Sequence, residues 1–198
     1  MLISARSALL ALLIVSLSIT TGFASADGHE GQKAVLVTGA TSGIGLRIAE
    51  RLASEGYFVY AGARKQEDID RLNKLENVEA IRLDVTVQED IDAAVKHVSE
   101  AGRGLWGLIN NAGVFIGGPV TEVSTEETIW LFDVNVFGVY RVTQAFAPLI
   151  IESQGRISTI GSISGVGTSR FFSQYSMSKH AMEAFTDALA IELERFGV

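Results

Sequence analysis

Tyr175 and Lys179 stand four residues apart, a spacing that puts two side chains on one face of a helix. A phenol and an ammonium about 4 Å apart, at an effective dielectric near 20, interact by about 4 kcal/mol, which draws a phenol down from about 10 by as much as ~3 units. A phenol so placed exchanges protons near neutral pH. The same spacing is common on inert helix surfaces, so the pair takes its meaning from its setting. Ser162 lies thirteen residues before Tyr175, in the loop Gly161-Ser162-Ile163-Ser164-Gly165. Ile163 at the centre of that loop excludes the G-x-S-x-G turn that presents a serine nucleophile.

A second cluster runs from Lys33 to Gly45, KAVLVTGATSGIG. Glycine tolerates positive φ and, lacking a Cβ, lets a ligand approach the backbone. Gly39, Gly43 and Gly45 therefore suit a turn that delivers an anion to a helix N-terminus, where free N–H groups and the helix dipole favour phosphate. The competing reading is a plain strand-to-helix turn. The order strand, glycine turn, helix favours a dinucleotide site, although G-x-x-x-G-x-G is not the commonest G-x-G-x-x-G spacing.

These groups need a scaffold. Val35, Leu36 and Val37 are apolar in succession, as in a strand buried on both faces of a parallel sheet. From Ile44, the residues Ile48, Leu52 and Ala53 recur at helical spacing. Further strands are predicted at Tyr57–Gly62, Val78–Leu83, Leu105–Ile109 and Arg156–Ile160, with helices at Gln66–Leu75, Val87–Ala101 and Tyr175–Phe196. The helix over Val87–Ala101 carries Ile91, Ala94, Val95 and Val98 as its apolar stripe.

The dinucleotide pattern expects an acidic residue about 20 positions after the glycines, to hold the ribose 2′-OH. The second strand instead leads to Ala63-Arg64-Lys65. Arg64 suits a 2′-phosphate, hence NADP(H) in preference to NAD(H), unless the pair is simply a solvated strand end. Asn110-Asn111-Ala112-Gly113 follows the fourth strand, either as an ordinary polar turn or as part of the ligand edge. Thr125 to Ile150 reads as one long helix, apolar nearly all round and so buried on most sides. Asn135 within it is either a satisfied core amide or a functional one.

Met1 to Ala26 has one basic residue, Arg6, then an apolar core of about 12 residues, Ala8 to Ile19, then Ala24-Ser25-Ala26. This is the layout of an export signal cleaved after Ala26, the alternative being an N-terminal membrane anchor through residues 8–19. Cleavage would leave residues 27–198 as one domain and move the net charge from −7 to about −8. An acidic domain is a poor nucleic-acid binder. With no cysteine there is no disulfide, thiol nucleophile or thiolate metal site.

Taken together, Thr38-Gly39-x-x-x-Gly43-x-Gly45, Asn110-Asn111-Ala112-Gly113, Ser162 and Tyr175-x-x-x-Lys179 resemble the short-chain dehydrogenase/reductase family, in its compact oxidoreductase branch, over Lys33 to Val198. The resemblance implies an α/β fold with a doubly wound Rossmann-type parallel sheet in the order 3-2-1-4-5. It implies Tyr175 as general acid/base at the substrate oxygen, and Lys179 as the group that makes that phenol more acidic and holds the nicotinamide ribose. Ser162 would hydrogen-bond the substrate oxygen, Asn135 would anchor a water in a proton relay, and Asp84 would contact adenine. Thr38, Gly39, Ser42, Gly43, Ile44, Gly45, Asn110, Ala112 and Gly113 would line the cofactor cleft with Arg64. No metal is implied, and His29, His97 and His180 lack ligand spacing.

The expected activity is interconversion of a secondary alcohol and a ketone or aldehyde with NADP(H); the alternative is a nucleotide-binding pseudoenzyme. Partners would be a small alcohol or carbonyl substrate and a second copy of the chain, met through helices 125–150 and 175–196. Relatives continue through two more strands and a substrate-covering segment. The expectation is therefore an incomplete member with its fifth strand as an open edge, forming the adenine half of the cofactor site but weakly active, poorly stable or reliant on oligomerisation.

Overall fold

Strand β1, Ala34–Val37, is buried at every position, as the unbroken apolar run requires. In the computed structural model, which describes residues 31–198, it lies at the centre of a five-stranded parallel sheet. The expected leader lies outside the described residues. The other strands are β2, Phe58–Ala63, β3, Val78–Arg82, β4, Gly107–Asn110, and β5, Arg156–Thr159, in the order β3-β2-β1-β4-β5. The expected 3-2-1-4-5 order is therefore present. Register is set by pairs such as Leu36 with Tyr60 on one side and Leu36 with Leu108 on the other.

Two apolar layers follow from strand alternation. On one face Leu36, Tyr60, Ile81 and Leu108 pack with helix α3, Gln88–Glu100, and helix α5, Val139–Glu152, through Ile91, Val98, Val142, Phe146 and Ile150. On the other, Val35, Val37, Val59, Ala61 and Ala80 meet helix α1, Gly43–Ser54, and helix α2, Gln66–Leu72. The buried face of α1 is Gly45, Ala49 and Ala53, with Ile48 and Leu52 partly buried beside it. Ile44 is a correction to the apolar stripe read from the sequence, because it is 62% exposed at the helix start.

The segment read as one helix from Thr125 to Ile150 is three pieces. Helix α4, Thr125–Phe132, leads into a π-helical turn, Asp133–Gly138, and then α5. Leu131, Val134, Val142, Phe146 and Ile150 are buried, but Ile129, Trp130, Phe137 and Tyr140 are exposed. Burial on most sides was the expectation; the structure buries one side and leaves an apolar stripe outside. Helix α6, Ser173–Glu194, packs against a 3-10 turn at Ile163–Gly165, the π-helical turn and α4. β5 ends the sheet order, its residues alternating between exposed and half-buried.

Candidate active site

The strand order reverses between β1 and β4, and in parallel sheets ligands bind at the carboxyl ends of the strands beside such a reversal. Each residue singled out in the glycine turn, Arg64, Asp84, the Asn110–Gly113 stretch and Ser162 follows or ends one of the five strands at that edge. Tyr175, Lys179 and Asn135 reach it from α6 and the π-helical turn.

The glycine turn is an interlocked structure. Gly39 has φ of 62°, in the left-handed region, and a Cβ there would lie 2.9 Å from Ala112 Cα. A Cβ on Gly45 would lie 2.3 Å from Asn111 Nδ2 and 2.4 Å from the Gly39 carbonyl oxygen. Asn111 fills that space, its Nδ2 donating to the Thr38 carbonyl at 2.9 Å and the Gly39 carbonyl at 3.0 Å. The Thr38 hydroxyl accepts from the N–H groups of Asn111 and Ala112, both at 2.9 Å. Thr38 thus latches the loop after β4 to the loop after β1. Asn111 belongs to the quoted Asn-Asn-Ala-Gly stretch but was not singled out as a site residue, because its partners lie more than 70 positions away.

Gly43, by contrast, has open space where a Cβ would stand, and φ of 54°. Ser42 occupies the N-cap of α1, yet its hydroxyl makes no capping bond. The helix therefore presents backbone donors to open space, the arrangement that suits an anion. Arg64 Nη1 stands 3.9 Å from Asp84 Oδ2 at the ends of β2 and β3, and its side chain is mostly exposed. Asp84 Oδ1 accepts from the N–H of Thr86 at 3.0 Å and its hydroxyl at 2.7 Å.

Asn110 is buried. Its Nδ2 donates to the Thr143 hydroxyl on α5 at 2.9 Å, its carbonyl accepts from the N–H of Ile160 at 2.9 Å, and its Oδ1 is buried with no hydrogen-bond partner. It ties β4 to the end of β5 and to α5. Asn135 is also buried: Oδ1 accepts from the N–H of Val114 at 2.8 Å, while Nδ2 donates to the Val114 carbonyl at 2.9 Å and the Ser178 hydroxyl at 3.2 Å. Both polar atoms of this amide therefore have partners. It holds the loop after β4 to α6, next to Gly113, and π-helical turns of this kind are frequent at functional sites.

Tyr175 is half-buried and Lys179 is 9% exposed. The Lys179 ammonium donates to the Ile160 carbonyl at 2.6 Å and lies 5.8 Å from the centre of the Tyr175 ring. The pair shares a helix face as the spacing requires, with the cation farther from the ring than the ~4 Å used above. That bond to Ile160, two residues before Ser162, fastens the serine loop against α6. Ser162 N-caps the 3-10 turn, its hydroxyl accepting from the N–H of Ser164 at 3.1 Å. Burial holds the Lys179 ammonium below the ordinary lysine value, and the Glu183 carboxylate one turn later works against that fall.

Glu183 and Phe115 were missed by the sequence reading. A Cβ on Gly165 would lie 2.7 Å from Glu183 Oε1, so the carboxylate sits against the serine loop. The Phe115 ring lies 5.1 Å from that of Tyr175, edge to face. Neither has a local signal: one needs the placement of a loop on α6, the other the return of the chain from β4.

A buried lysine beside a tyrosine, a serine loop, and a glycine turn latched at a sheet reversal thus meet at one edge of the sheet. The family model described as short chain dehydrogenase matches residues 33–198, and the chain belongs to the short-chain dehydrogenase/reductase family. It is 36% identical to the mitochondrial D-beta-hydroxybutyrate dehydrogenase of Bos taurus over 186 residues, covering 89% of this chain and 54% of that protein. The crystal structure of a short-chain dehydrogenase from Streptomyces avermitilis matches with a TM-score of 0.81 and 38% identity, over 86% of this chain and 64% of that one. A structure of actinorhodin polyketide ketoreductase with NADPH matches with a TM-score of 0.80 and 37% identity, over 84% and 67%. The chain spans about half the length of the bovine relative.

Proposed function

We propose that this chain is an NADP(H)-preferring oxidoreductase that interconverts a secondary alcohol and a ketone or aldehyde, with Tyr175 as the general acid/base. The observation that carries this reading is the Lys179 ammonium, buried beside the Tyr175 ring and hydrogen-bonded to Ile160 at the root of the serine loop. A buried cation is costly to maintain without a task. The open space at Gly43, at the start of α1, and the exposed guanidinium of Arg64 fit a dinucleotide carrying a 2′-phosphate, and the ketoreductase match was solved with NADPH. When bound, the nicotinamide supplies or accepts the hydride.

The chain's own residues handle the proton and the oxygen. Tyr175 gives its phenolic proton to the carbonyl oxygen in reduction and takes one back in oxidation. Ser162 donates to the same oxygen, whose negative charge grows toward the transition state, so its bond strengthens where it lowers the barrier. Lys179, held by Ile160, sets its positive charge beside the Tyr175 ring. Asn135 holds the loop that packs on the tyrosine.

Tyr175→Phe tests the reading, since it deletes the proton-carrying oxygen and almost no volume. NADPH-dependent ketone reduction by the full chain should fall about a thousandfold, with NADPH affinity within about threefold of wild type; turnover within tenfold of wild type refutes the assignment. The exposed stripe of Ile129, Trp130, Phe137 and Tyr140 supports self-association through α4 to α5, as such patches mark interfaces. Phe137→Glu is expected to convert a sedimenting dimer to monomer; a wild-type monomer at micromolar concentration refutes that part.

A further inference from the structure

Two loops meet at Tyr175, and each brings a phenylalanine. Phe115, five residues past the end of β4, lies edge-on to Tyr175 at 5.1 Å and tilted against Phe172 at 5.1 Å; Phe172 lies edge-on to Tyr175 at 6.4 Å. The loops are clasped by a backbone bond, the N–H of Gly118 donating to the Phe171 carbonyl at 2.9 Å. The fit is close, since a Cβ on Gly117 would lie 2.6 Å from Phe115 Cζ and 3.1 Å from that same carbonyl. Phe171 has φ of 70°, a left-handed backbone that a bulky aromatic residue rarely adopts. A residue held in that conformation near a reactive group marks a segment whose shape is constrained.

Most aromatic clusters this tight lie in a core. This one does not: Phe115 is 55% exposed and Phe171 is exposed beside it, with Ile163 from the serine loop at 83%. The rings fix the orientation of Tyr175 on one side and offer apolar area to solvent on the other. In residues 111–118 and 166–172 the single charged residue is Arg170.

We infer that the Phe115–Phe172 clasp is a substrate wall, and that it selects carbonyl compounds bearing a flat apolar group, such as an aryl ketone, over short charged keto acids. The inference rests on the oxidoreductase reading above and adds the substrate class to it. An aryl ring against the clasp extends the existing edge-to-face stack, and brings its carbonyl to the phenol at the centre. Aromatic pairing adds to simple burial, and the uncharged rings of Phe115 and Phe172 give a charged keto acid nothing in return for its lost hydration.

The test uses the full chain with acetophenone and acetoacetate as probes, NADPH in excess, and the ratio of kcat/KM for the two as readout. Wild type should favour acetophenone at least about tenfold. Phe115→Leu, which keeps apolar bulk in the exposed position but removes the ring, should reduce that ratio about fivefold, and Phe115→Ala about tenfold. A ratio that favours acetoacetate, or one unmoved by both substitutions, overturns the inference; the former would shift the choice to Arg170. Calorimetric binding of acetophenone to the chain loaded with NADP+, which has no hydride to give, separates this from the underlying reading. Binding that weakens in Phe115→Ala while no ketone is reduced by wild type supports the wall and refutes the oxidoreductase. Reduction of acetophenone with binding indifferent to Phe115 refutes the wall alone.

Discussion

The two ends of the site are built differently. The end proposed to hold the cofactor is part of the core: β1 is wholly buried, the Thr38 hydroxyl and the Asn111 amide are spent on their neighbours, and Gly45 leaves no room for a methyl group. The proposed substrate end rests on β5, half of whose residues are exposed, and on loops fastened by bonds such as Lys179 to Ile160, Asn135 to Val114, and Gly118 to Phe171. A phosphate-binding turn has to be right before any ligand arrives, since backbone donors cannot be re-aimed cheaply. A substrate wall has to differ among relatives that share one chemistry, and loops allow that. The contrast yields predictions on both sides.

The largest effect should come from the substrate end. Lys179→Met is expected to lower NADPH-dependent turnover by at least about a hundredfold with little change in melting temperature at pH 7, because the desolvation cost of the buried cation that it removes offsets the lost bond to Ile160. Burial holds the folded-state value of Lys179 below the ordinary 10.5, so the unfolded chain binds that proton more tightly. Stability therefore rises with pH across the window between the folded value and about 10.5, and Lys179→Met should flatten that rise. A variant that melts well below wild type at pH 7 would show the ammonium to be a structural support.

Gly45→Ala should do the reverse. Its methyl group would collide with Asn111 Nδ2 and the Gly39 carbonyl, opening the latch between the loops after β1 and β4. A loss of about 3 kcal/mol, at the upper end for overpacking, lowers the melting temperature by roughly 10 °C in a domain of this size. NADPH affinity should fall with it. Unchanged thermal unfolding would mean the latch is looser than its distances indicate.

The same contrast explains what could be read from the sequence. Val35 to Gly45 announces itself because a run of apolar residues and a set of glycines are local facts, and Tyr175 with Lys179 needs only helical spacing. The five strands and their order followed from such signals together with the family resemblance. Features that depend on distant chain were hidden: Asn111 in the space above Gly45, Glu183 against Gly165, and Phe115 on Tyr175. The Thr125–Ile150 segment misled in another way. Apolar composition reports a preference to leave water but not which neighbour receives each face, so the exposed Ile129 and Phe137 looked like core. The π-helical turn at Asp133–Gly138 left no mark in the residue pattern, because one extra residue in a turn changes the backbone hydrogen bonding and not the apolar composition.

The central claim is that residues around the glycine turn form a working NADP(H) site in this chain, independently of the substrate end. Calorimetric titration of the purified chain with NADPH and with NADH measures it directly, repeated on Arg64→Ala. The account predicts saturable binding of one equivalent, at least about fivefold tighter for NADPH, with the Arg64→Ala variant losing most of that preference and little of its affinity for NADH. No binding of either nucleotide, or equal affinities in wild type and variant alike, would contradict it.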